Sequence, residues 1–412
     1  MPLDLTLTTM SNGPDAIGRS EGRAVFVPFT IPGETVRVEI IEEKPTFARA
    51  RLLEVLSPSP DRVAPVCRHF GVCGGCHWQH ISYAAQLKWK RQIVVDQLAR
   101  IGGIDSPNVL ETIPSPDPFH HRNRVQFSQT PDGKLGFISV ESVSSVVSIS
   151  ECPITRPEIM ELFAQLDIEK LDVDQIAVRV GADGDLMLAF ESESGEPPDV
   201  ELELPISVAS VNGAGEALTM IGSDHLVHVI NGRPFQVSAG SFFQVNTAQA
   251  ETLVGLVMDA LALDGGETVF DLYCGVGLFT AFIAPKAARV VGVESSPSAV
   301  RDAEVNLDEF ENVELYESPV ELAIENIARS LPHPHTPTHV LLDPPRSGCS
   351  KAVTSALIAL AGPRIIYVSC DPATLARDAR RLIGGGYQLV SAQPLDMFPQ
   401  TYHIETVAVF ER

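Results

Sequence analysis

A chain of 412 residues is too long for one ordinary hydrophobic core, so we expect two or three domains. Its 30 basic and 53 acidic side chains give a net charge of −23, which argues against a broadly basic nucleic-acid-binding surface and leaves room only for local basic patches. No apolar run of about 18 residues and no basic-then-apolar leader is present, so we expect a cytoplasmic protein with no membrane partner.

The first part of the chain alternates short β-type runs with glycines and prolines. Residues 1–57 include "EGRAVFVPFTIPGETVRVEIIEEKPTFARARLLEVL", a pattern that is typical of a small all-β barrel. Pro58, Pro60 and Pro65 then mark a linker. The sequence therefore predicts a separate N-terminal barrel domain.

Three of the seven cysteines are crowded into the stretch "CRHFGVCGGC". Cys67, Cys73 and Cys76 have the spacing C-x5-C-x2-C, and Cys152, followed by Pro153, supplies a fourth thiol. In a long chain from a reducing compartment, such crowding indicates a metal rather than a disulfide framework. The residues alone leave two alternatives open, an iron–sulfur cluster and a structural zinc ion.

The predicted secondary structure changes twice after the cysteines. Residues 83–101 have apolar positions at helical spacing and end at two glycines, which predicts a helix with a basic face. Strand-like runs from 123 to about 237, with one helical stretch at 156–166, predict a β-rich middle domain. From about 241 helices and strands alternate, which predicts a doubly wound, mostly parallel sheet with its sites at the carboxyl ends of the strands. The Pro- and His-rich stretch 331–339 is predicted to be a solvated loop, although its histidines could bind a metal.

Polar and glycine-rich turns follow three of the predicted strands. In "VFDLYCGVGLF", Gly275 and Gly277 allow a tight turn and a close approach to a ligand. Glu294 ends the next strand, where a carboxylate can accept hydrogen bonds from both ribose hydroxyls; a solvated helix-cap residue is the alternative. Asp343 in "VLLDPPRSG" begins a stiff turn that can support a flat base or a methyl donor, or can be only a rigid turn.

A fourth strand, "RIIYVSCDP", ends in Cys370. Its position predicts that this thiol shares one pocket with Glu294 and Asp343, whereas a small buried hydrophobe is the common fate of a free cysteine. A helix beginning near Pro372 is expected to lower the pKa of Cys370, and Asp371 opposes that shift. Cys274 and Cys349, also near strand ends, are predicted to be structural.

Several of these stretches together resemble the S-adenosylmethionine-dependent RNA (uracil-C5)-methyltransferases that carry an iron–sulfur cluster. The N-terminal barrel resembles the RNA-binding TRAM domain that many of these enzymes have, especially those acting on 23S ribosomal RNA. The resemblance implies an α/β fold: a Rossmann-like methyltransferase domain, a β-rich central domain and an OB-like barrel. The stretches that carry it span nearly the whole chain: "CRHFGVCGGCHWQH", "GSFFQVN", "DLYCGVGLF", "LLDPPRSG", "VSCDPATLARD" and "HIETVAVF".

The resemblance also implies roles for individual residues. Cys370 would add to C6 of uracil as the nucleophile, and Glu405 of "HIET" would remove the C5 proton as the base. Burial is expected to raise the pKa of Glu405 towards neutrality. The remaining implied sites are S-adenosylmethionine on Gln244, Tyr273, Glu294 and Asp343, besides the glycine turn, and a [4Fe–4S] cluster on Cys67, Cys73, Cys76 and Cys152.

We therefore expect a three-domain enzyme that methylates a flipped uridine. The predicted domains are a barrel at 1–57, a central domain at 58–78 and 111–240, and a catalytic domain at 79–110 and 241–412. Ribosomal RNA is the favoured partner, transfer RNA the near alternative, and no obligate protein partner is evident; a non-catalytic iron–sulfur RNA-binding or redox-sensing protein is the alternative of another class. The candidate phosphate contacts are Lys88, Lys90, Arg91, Arg122, Arg124, Arg346, Arg377, Arg380 and Arg381.

Overall fold

The structure is a computed structural model that describes residues 2–166, 168–201, 203–330 and 339–412. The predicted loop with His333 and His335 lies outside these residues. None of the helices in the described ranges combines the length and the apolarity that crossing a bilayer requires.

The predicted N-terminal barrel is confirmed. Its strands close in the order β1-β2-β3-β5-β4, with β1 antiparallel to both β2 and β4. Side chains alternate between a buried interior, for example Leu5 and Leu7, and solvent, as a half-buried sheet requires. The strands are β1 (Leu3–Met10), β2 (Ala16–Ser20), β3 (Arg23–Val27), β4 (Thr35–Glu43) and β5 (Phe47–Ser57).

A seven-stranded, mostly antiparallel sheet forms the middle of the molecule, in the order β12-β11-β10-β9-β6-β7-β8. A helix precedes it, and a two-stranded hairpin follows it. The elements of this region are α1 (Tyr83–Arg100), β6 (Arg124–Gln129), β7 (Leu135–Ile138), β8 (Val146–Ser148), α2 (Pro157–Phe163), β9 (Gln175–Val180), β10 (Leu186–Glu191), β11 (Ser207–Val211), β12 (Ala217–Ile221), β13 (His225–Ile230) and β14 (Arg233–Ser238).

The predicted doubly wound sheet is also confirmed. Its order is β17-β16-β15-β18-β19-β21-β20, in which the first five strands are parallel and β21 runs antiparallel to both of its neighbours, β19 and β20. Its elements are α3 (Thr247–Leu261), β15 (Thr268–Leu272), α4 (Leu278–Ile283), β16 (Arg289–Glu294), α5 (Pro297–Asn306), β17 (Val313–Glu317), α6 (Val320–Ser330), β18 (His339–Leu342), α7 (Lys351–Leu360), β19 (Arg364–Ser369), α8 (Pro372–Gly384), β20 (Gln388–Leu395) and β21 (Glu405–Glu411).

Two elements from the middle of the chain pack on this α/β sheet. Helix α1 contacts α8 and β20 and shares their core through Ile93, Val94 and Leu98. The hairpin β13–β14 buries Phe235 and Val237 among residues of α3, α4 and α5. The domain boundaries given above stay predictions, but α1 brings a sequence-distant helix to the edge of the sheet where the candidate site lies.

Candidate active site

The strand register brings Cys370, Asp343 and Glu405 to one edge of the α/β sheet. Strand β18 lies beside β19, so Asp343 and Cys370 follow the ends of neighbouring parallel strands. Strand β21 runs antiparallel to β19 and begins at Glu405, and its next residue, Thr406, pairs with Ser369. The carboxyl end of β19 therefore faces the amino end of β21.

Burial and mutual repulsion shift the pKa of each of these three groups upward. Glu405 is only 4% exposed, and burial, followed by the charge of Asp343, raises its pKa well above the usual range. Burial, then Asp271 and Glu294, raises the pKa of Asp343 to about 7. Burial, then Glu405 and Asp343, raises the pKa of Cys370 to about 12. The expected rise for Glu405 is confirmed, and in the ligand-free protein Cys370 is a thiol.

The pKa of Cys370 is raised overall, so the lowering expected from helix α8 does not set its direction. Asp371 caps that helix by accepting a hydrogen bond from the N–H of Thr374 at 2.8 Å, yet its charge still raises the pKa of Cys370. Arg346 is the neighbour that lowers it. A 3.1 Å contact joins the Arg346 guanidinium to Nδ1 of His403, a residue two positions before Glu405.

The glycine turn after β15 is tied to the end of β16 by Glu294. Gly275 and Gly277 have φ angles of 57° and 86°, and a Cβ on Gly277 would meet Leu307 at 2.8 Å, so this turn requires glycine. The Gly275 N–H donates to Oε2 of Glu294 at 3.0 Å. Oε1 accepts the N–H groups of the two following serines, at 2.7 and 2.8 Å. A carboxylate has about four lone-pair sites, so Oε2 can still accept a ligand hydroxyl.

Tyr273 and Gln244 both precede the two glycines of this turn in the sequence. Tyr273 has a positive φ of 69°, and its N–H donates to Val293 at 2.9 Å, which fixes the turn to β16. Gln244 is 8% exposed and lies in the loop before α3; its main-chain oxygen accepts a bond from Nδ2 of Asn123 at 3.0 Å. Gln244 therefore approaches from the middle sheet rather than from a strand end of the α/β sheet.

Sequence reasoning missed Asp271, which is fully buried within β15, four residues before Gly275. It accepts a 2.6 Å bond from Oγ1 of Thr280, and burial raises its pKa to about 6. An aspartate inside the apolar run "VFDL" was the available signal. With Glu294, Asp343 and Glu405 it makes four carboxyl groups at one strand edge. Such a site repels a pyrophosphate and favours a cationic cofactor.

The four predicted metal-binding cysteines line a separate cavity of about 180 Å³ between the cysteine loop and the middle sheet. Sγ of Cys67 accepts the N–H of His69 and Sγ of Cys73 accepts the N–H of Gly75, each at 3.4 Å. The charge of Cys152 raises the pKa of Cys76 further, after burial, to about 12, so these thiols are close neighbours. An Arg68–Glu151 ion pair joins the residues that follow Cys67 and precede Cys152.

The cavity has two features that bear on its occupant. Among the described residues, no three His, Cys, Asp or Glu side chains converge closely enough to bind a single metal ion. The Arg122 side chain also lines the cavity; the residue is half-buried, and its buried Nε has no hydrogen-bond partner. Val245, next to Gln244, lines the same cavity, so the cysteine site borders the loop that is predicted to bind the cofactor.

The structure removes one basic residue, Lys90, from the predicted RNA contacts, because it is 0% exposed. Arg122 is half-buried and lines the cysteine cavity. Arg377 and Arg381 both bind the buried carboxylate of Asp378. Their side chains stay 38% and 35% exposed, so these ion pairs leave both guanidinium groups partly open to solvent. The candidates that keep an exposed side chain include Arg346 and Arg380.

Known proteins are similar to this chain over its whole length. The TRAM domain family matches residues 3–53, and the tRNA (Uracil-5-)-methyltransferase family matches residues 219–412. An uncharacterized RNA methyltransferase from Chlorobaculum tepidum is 33% identical, with 100% of this chain and 96% of the relative covered. A second, from Thermosynechococcus vestitus, is 34% identical, with 99% and 97% covered.

A solved structure shows the same similarity. The tRNA (uracil-54, C5)-methyltransferase of Pyrococcus abyssi, in complex with S-adenosyl-L-homocysteine, superimposes with a TM-score of 0.73 at 28% identity, and the alignment covers 98% of this chain and 99% of that one. Sequence and fold thus agree over all three parts of the molecule. The chain belongs to the TRAM-containing family of RNA (uracil-5-)-methyltransferases, enzymes that use S-adenosylmethionine to methylate C5 of uridine in RNA.

Proposed function

We propose that Cys370 and Glu405 carry out the methylation as nucleophile and base, on a uridine of 23S ribosomal RNA. The observation that carries this proposal is the convergence of Cys370, Asp343 and Glu405 at adjoining strand ends, with Arg346 beside them. A structural cysteine needs no such surroundings. Cys349, which is 1% exposed and whose N–H donates to Oδ2 of the buried Asp378 at 2.8 Å, is the structural contrast.

The chemistry requires a thiol because C5 of uracil is a poor nucleophile. The Cys370 thiolate adds to C6, and the C6–S bond gives an enolate whose negative charge reaches C5. S-adenosylmethionine supplies an electrophilic methyl group, which C5 takes. Glu405 then accepts the C5 proton, the electron pair re-forms the C5–C6 double bond, and the C6–S bond breaks to release the thiolate. The products are 5-methyluridine, S-adenosylhomocysteine and one proton.

The cofactor contacts in this proposal follow from the turn geometry. Glu294 accepts the ribose hydroxyls through its remaining acceptor capacity, and Gly275 and Gly277 let the backbone approach. Tyr273, Gln244 and Asp343 complete the binding site. The Asp343 carboxyl group supports this, because a cationic cofactor would favour its ionised form against the burial and the repulsion from Asp271 and Glu294 that raise its pKa.

For the cysteine cavity we propose a [4Fe–4S] cluster on Cys67, Cys73, Cys76 and Cys152. The four thiols surround a space of about 180 Å³ but do not converge on one point, which suits a cluster of several irons better than one zinc ion. The unpartnered Arg122 donor supports an anionic occupant. The cysteines would hold the cluster as thiolates, and no step of the methylation passes through it.

Transfer RNA is the second candidate substrate, because the Pyrococcus abyssi enzyme is a tRNA methyltransferase and the alignment with it includes the barrel. The test incubates the full-length protein with methyl-labelled S-adenosylmethionine and unmodified transcripts of either RNA, followed by mapping of 5-methyluridine. Label in 23S fragments supports the ribosomal substrate. Label only in transfer RNA selects the alternative, and no label in either RNA contradicts both.

A further inference from the structure

A fully buried lysine of helix α1 binds the segment that precedes Glu405. Lys90 is 0% exposed, and its ammonium donates to Oδ1 of Asp396 at 2.5 Å, to the carbonyl of Phe398 at 3.0 Å and to the carbonyl of His403 at 2.9 Å. An ammonium has three donors, so all of them are directed at the segment 396–403. Asp396 is equally buried.

A second side chain of α1 holds the middle of the same segment. Nε2 of Gln86 donates to Oε1 of Gln400 at 3.0 Å, and Oε1 of Gln86 accepts the Gln400 N–H at 3.1 Å. Gln400 has a φ of 67°, a conformation that needs support from its surroundings in a residue other than glycine. The segment is therefore fixed at its start, middle and end by one helix.

The segment leads directly to two groups beside Cys370. Glu405 is two residues after His403, and the His403 ring contacts Arg346 at 3.1 Å. A displacement of the His403 carbonyl, which Lys90 binds, would move the Glu405 carboxylate. Proton transfer requires heavy atoms about 3 Å apart, so a shift of 1 Å matters.

A buried ion pair is a poor way to gain stability alone, because an apolar pair of similar volume is often as stable. What it adds is a defined geometry. We propose that Lys90 is a positioning residue for the removal of the C5 proton, and that its bonds to 396–403 hold Glu405 at the methylated adduct. This inference rests on the proposed roles of Cys370 and Glu405.

The step that Lys90 supports comes after methyl transfer. At that point C6 is bonded to the Cys370 sulfur and C5 bears both the methyl group and a proton. If Glu405 is displaced, the proton stays, the C6–S bond cannot break by elimination, and the enzyme remains attached to methylated RNA. Thiol addition and methyl transfer do not require that proton acceptor.

The test compares full-length wild type, Lys90→Met, the double variant Lys90→Met/Asp396→Leu and Glu405→Gln on unmodified 23S ribosomal RNA and transfer RNA transcripts with methyl-labelled cofactor. Two products are quantified, free 5-methyluridine in RNA and labelled RNA that stays bound to protein after denaturation. We expect Lys90→Met to release product on the order of 100-fold more slowly while its labelled adduct accumulates. The double variant leaves no unpaired buried charge, so it should melt near wild type and still accumulate adduct.

A loss of adduct and product in equal proportion in the double variant, or wild-type turnover in it, would overturn the inference. If Lys90→Met does not fold, the double variant alone decides the role of Lys90. Glu405→Gln tests the proposed base separately from the role of Lys90. If Glu405→Gln turns over normally, the proposed base is wrong; if it accumulates adduct and the folded double variant does not, only the role of Lys90 is wrong.

Discussion

Ser369 pairs with Thr406 across strands β19 and β21, and this register sets Cys370 and Glu405 at facing strand ends. The two residues are 35 positions apart in sequence, yet the charge of Glu405 is the largest influence, after burial, on the pKa of the Cys370 thiol. The residues that we propose as nucleophile and base are thus coupled, and removing the charge of Glu405 is expected to lower the pKa of Cys370.

The first prediction concerns these two residues on 5-fluorouridine RNA, which has no C5 proton to lose. Wild type and Glu405→Gln should both form an adduct that survives denaturation, because thiol addition and methyl transfer precede the base step. Cys370→Ala should form none, whereas Cys349→Ala, the matched thiol control, should behave as wild type. Denaturing gel electrophoresis of labelled RNA gives the readout. An undiminished adduct in Cys370→Ala would remove the residue from its role.

A second prediction follows from the charge of the cofactor. With a pKa of about 12, Cys370 is protonated at pH 8, and a cation beside Asp343 should lower that pKa. Sinefungin carries an ammonium near the place of the sulfonium, whereas S-adenosylhomocysteine is uncharged there. We expect sinefungin to speed iodoacetamide labelling of Cys370 about tenfold relative to S-adenosylhomocysteine, a pKa decrease of about one unit.

Mass spectrometry of the Cys370 peptide measures this labelling. The rate without ligand should rise about tenfold per pH unit between about pH 7 and 9, because the thiolate is the reactive form. Equal labelling with both ligands would show that the cofactor charge does not act on the thiol.

The third prediction tests the cysteine cavity. Protein purified without oxygen should contain about four iron and four sulfide per chain and absorb visible light. Cys152→Ala should lose most of the iron, whereas Cys274→Ala, buried at 5% exposure outside the cavity, should keep it. Metal analysis and the visible spectrum decide. Zinc at one per chain, without iron, would refute the cluster.

A fourth prediction concerns stability and pH. Burial would raise the pKa of Glu34, but hydrogen bonds from Arg62, Ile31 and Ser59 outweigh it and lower the pKa. The ionised carboxylate, with Arg62 Nε at 2.5 Å, therefore stabilises the fold above the unfolded-state pKa near 4.3, and this stability is lost as pH falls through the lower folded-state value.

Glu34→Gln should accordingly cost about 2 kcal/mol of the free energy of unfolding at pH 7. The difference from wild type should shrink below about pH 4. Glu39→Gln, which removes an exposed pair with Arg51, is the control and should cost less than about 1 kcal/mol. Denaturant melts at both pH values measure the effect. An equal loss at pH 7 and below pH 4 would contradict it.

The sequence predicted the candidate site where polar residues or glycines directly follow an apolar strand. The glycine turn, Asp343 and Cys370 each follow an apolar strand, so the parallel sheet predicted their common edge. It was uninformative about Lys90, whose partner Asp396 lies 306 positions away, and about Arg122, because helix or strand spacing does not distinguish an inward cation from a solvated one. The net rise in the pKa of Cys370 was not predicted, because Glu405 and Asp343, which raise it together with burial, come from other strands.

The hydrogen bonds between α1 and the segment 396–403 also have a consequence for biosynthesis. A ribosome makes Lys90 306 residues before Asp396, and Gln86 314 residues before Gln400. The barrel, helix α1 and the middle sheet can therefore fold early. The Lys90 ammonium, however, has no acceptor until the segment 396–403 has been made. A nascent chain that stalls before residue 396 exposes this part of α1 and is expected to depend on chaperones. It also lacks Glu405, the proton acceptor that we propose.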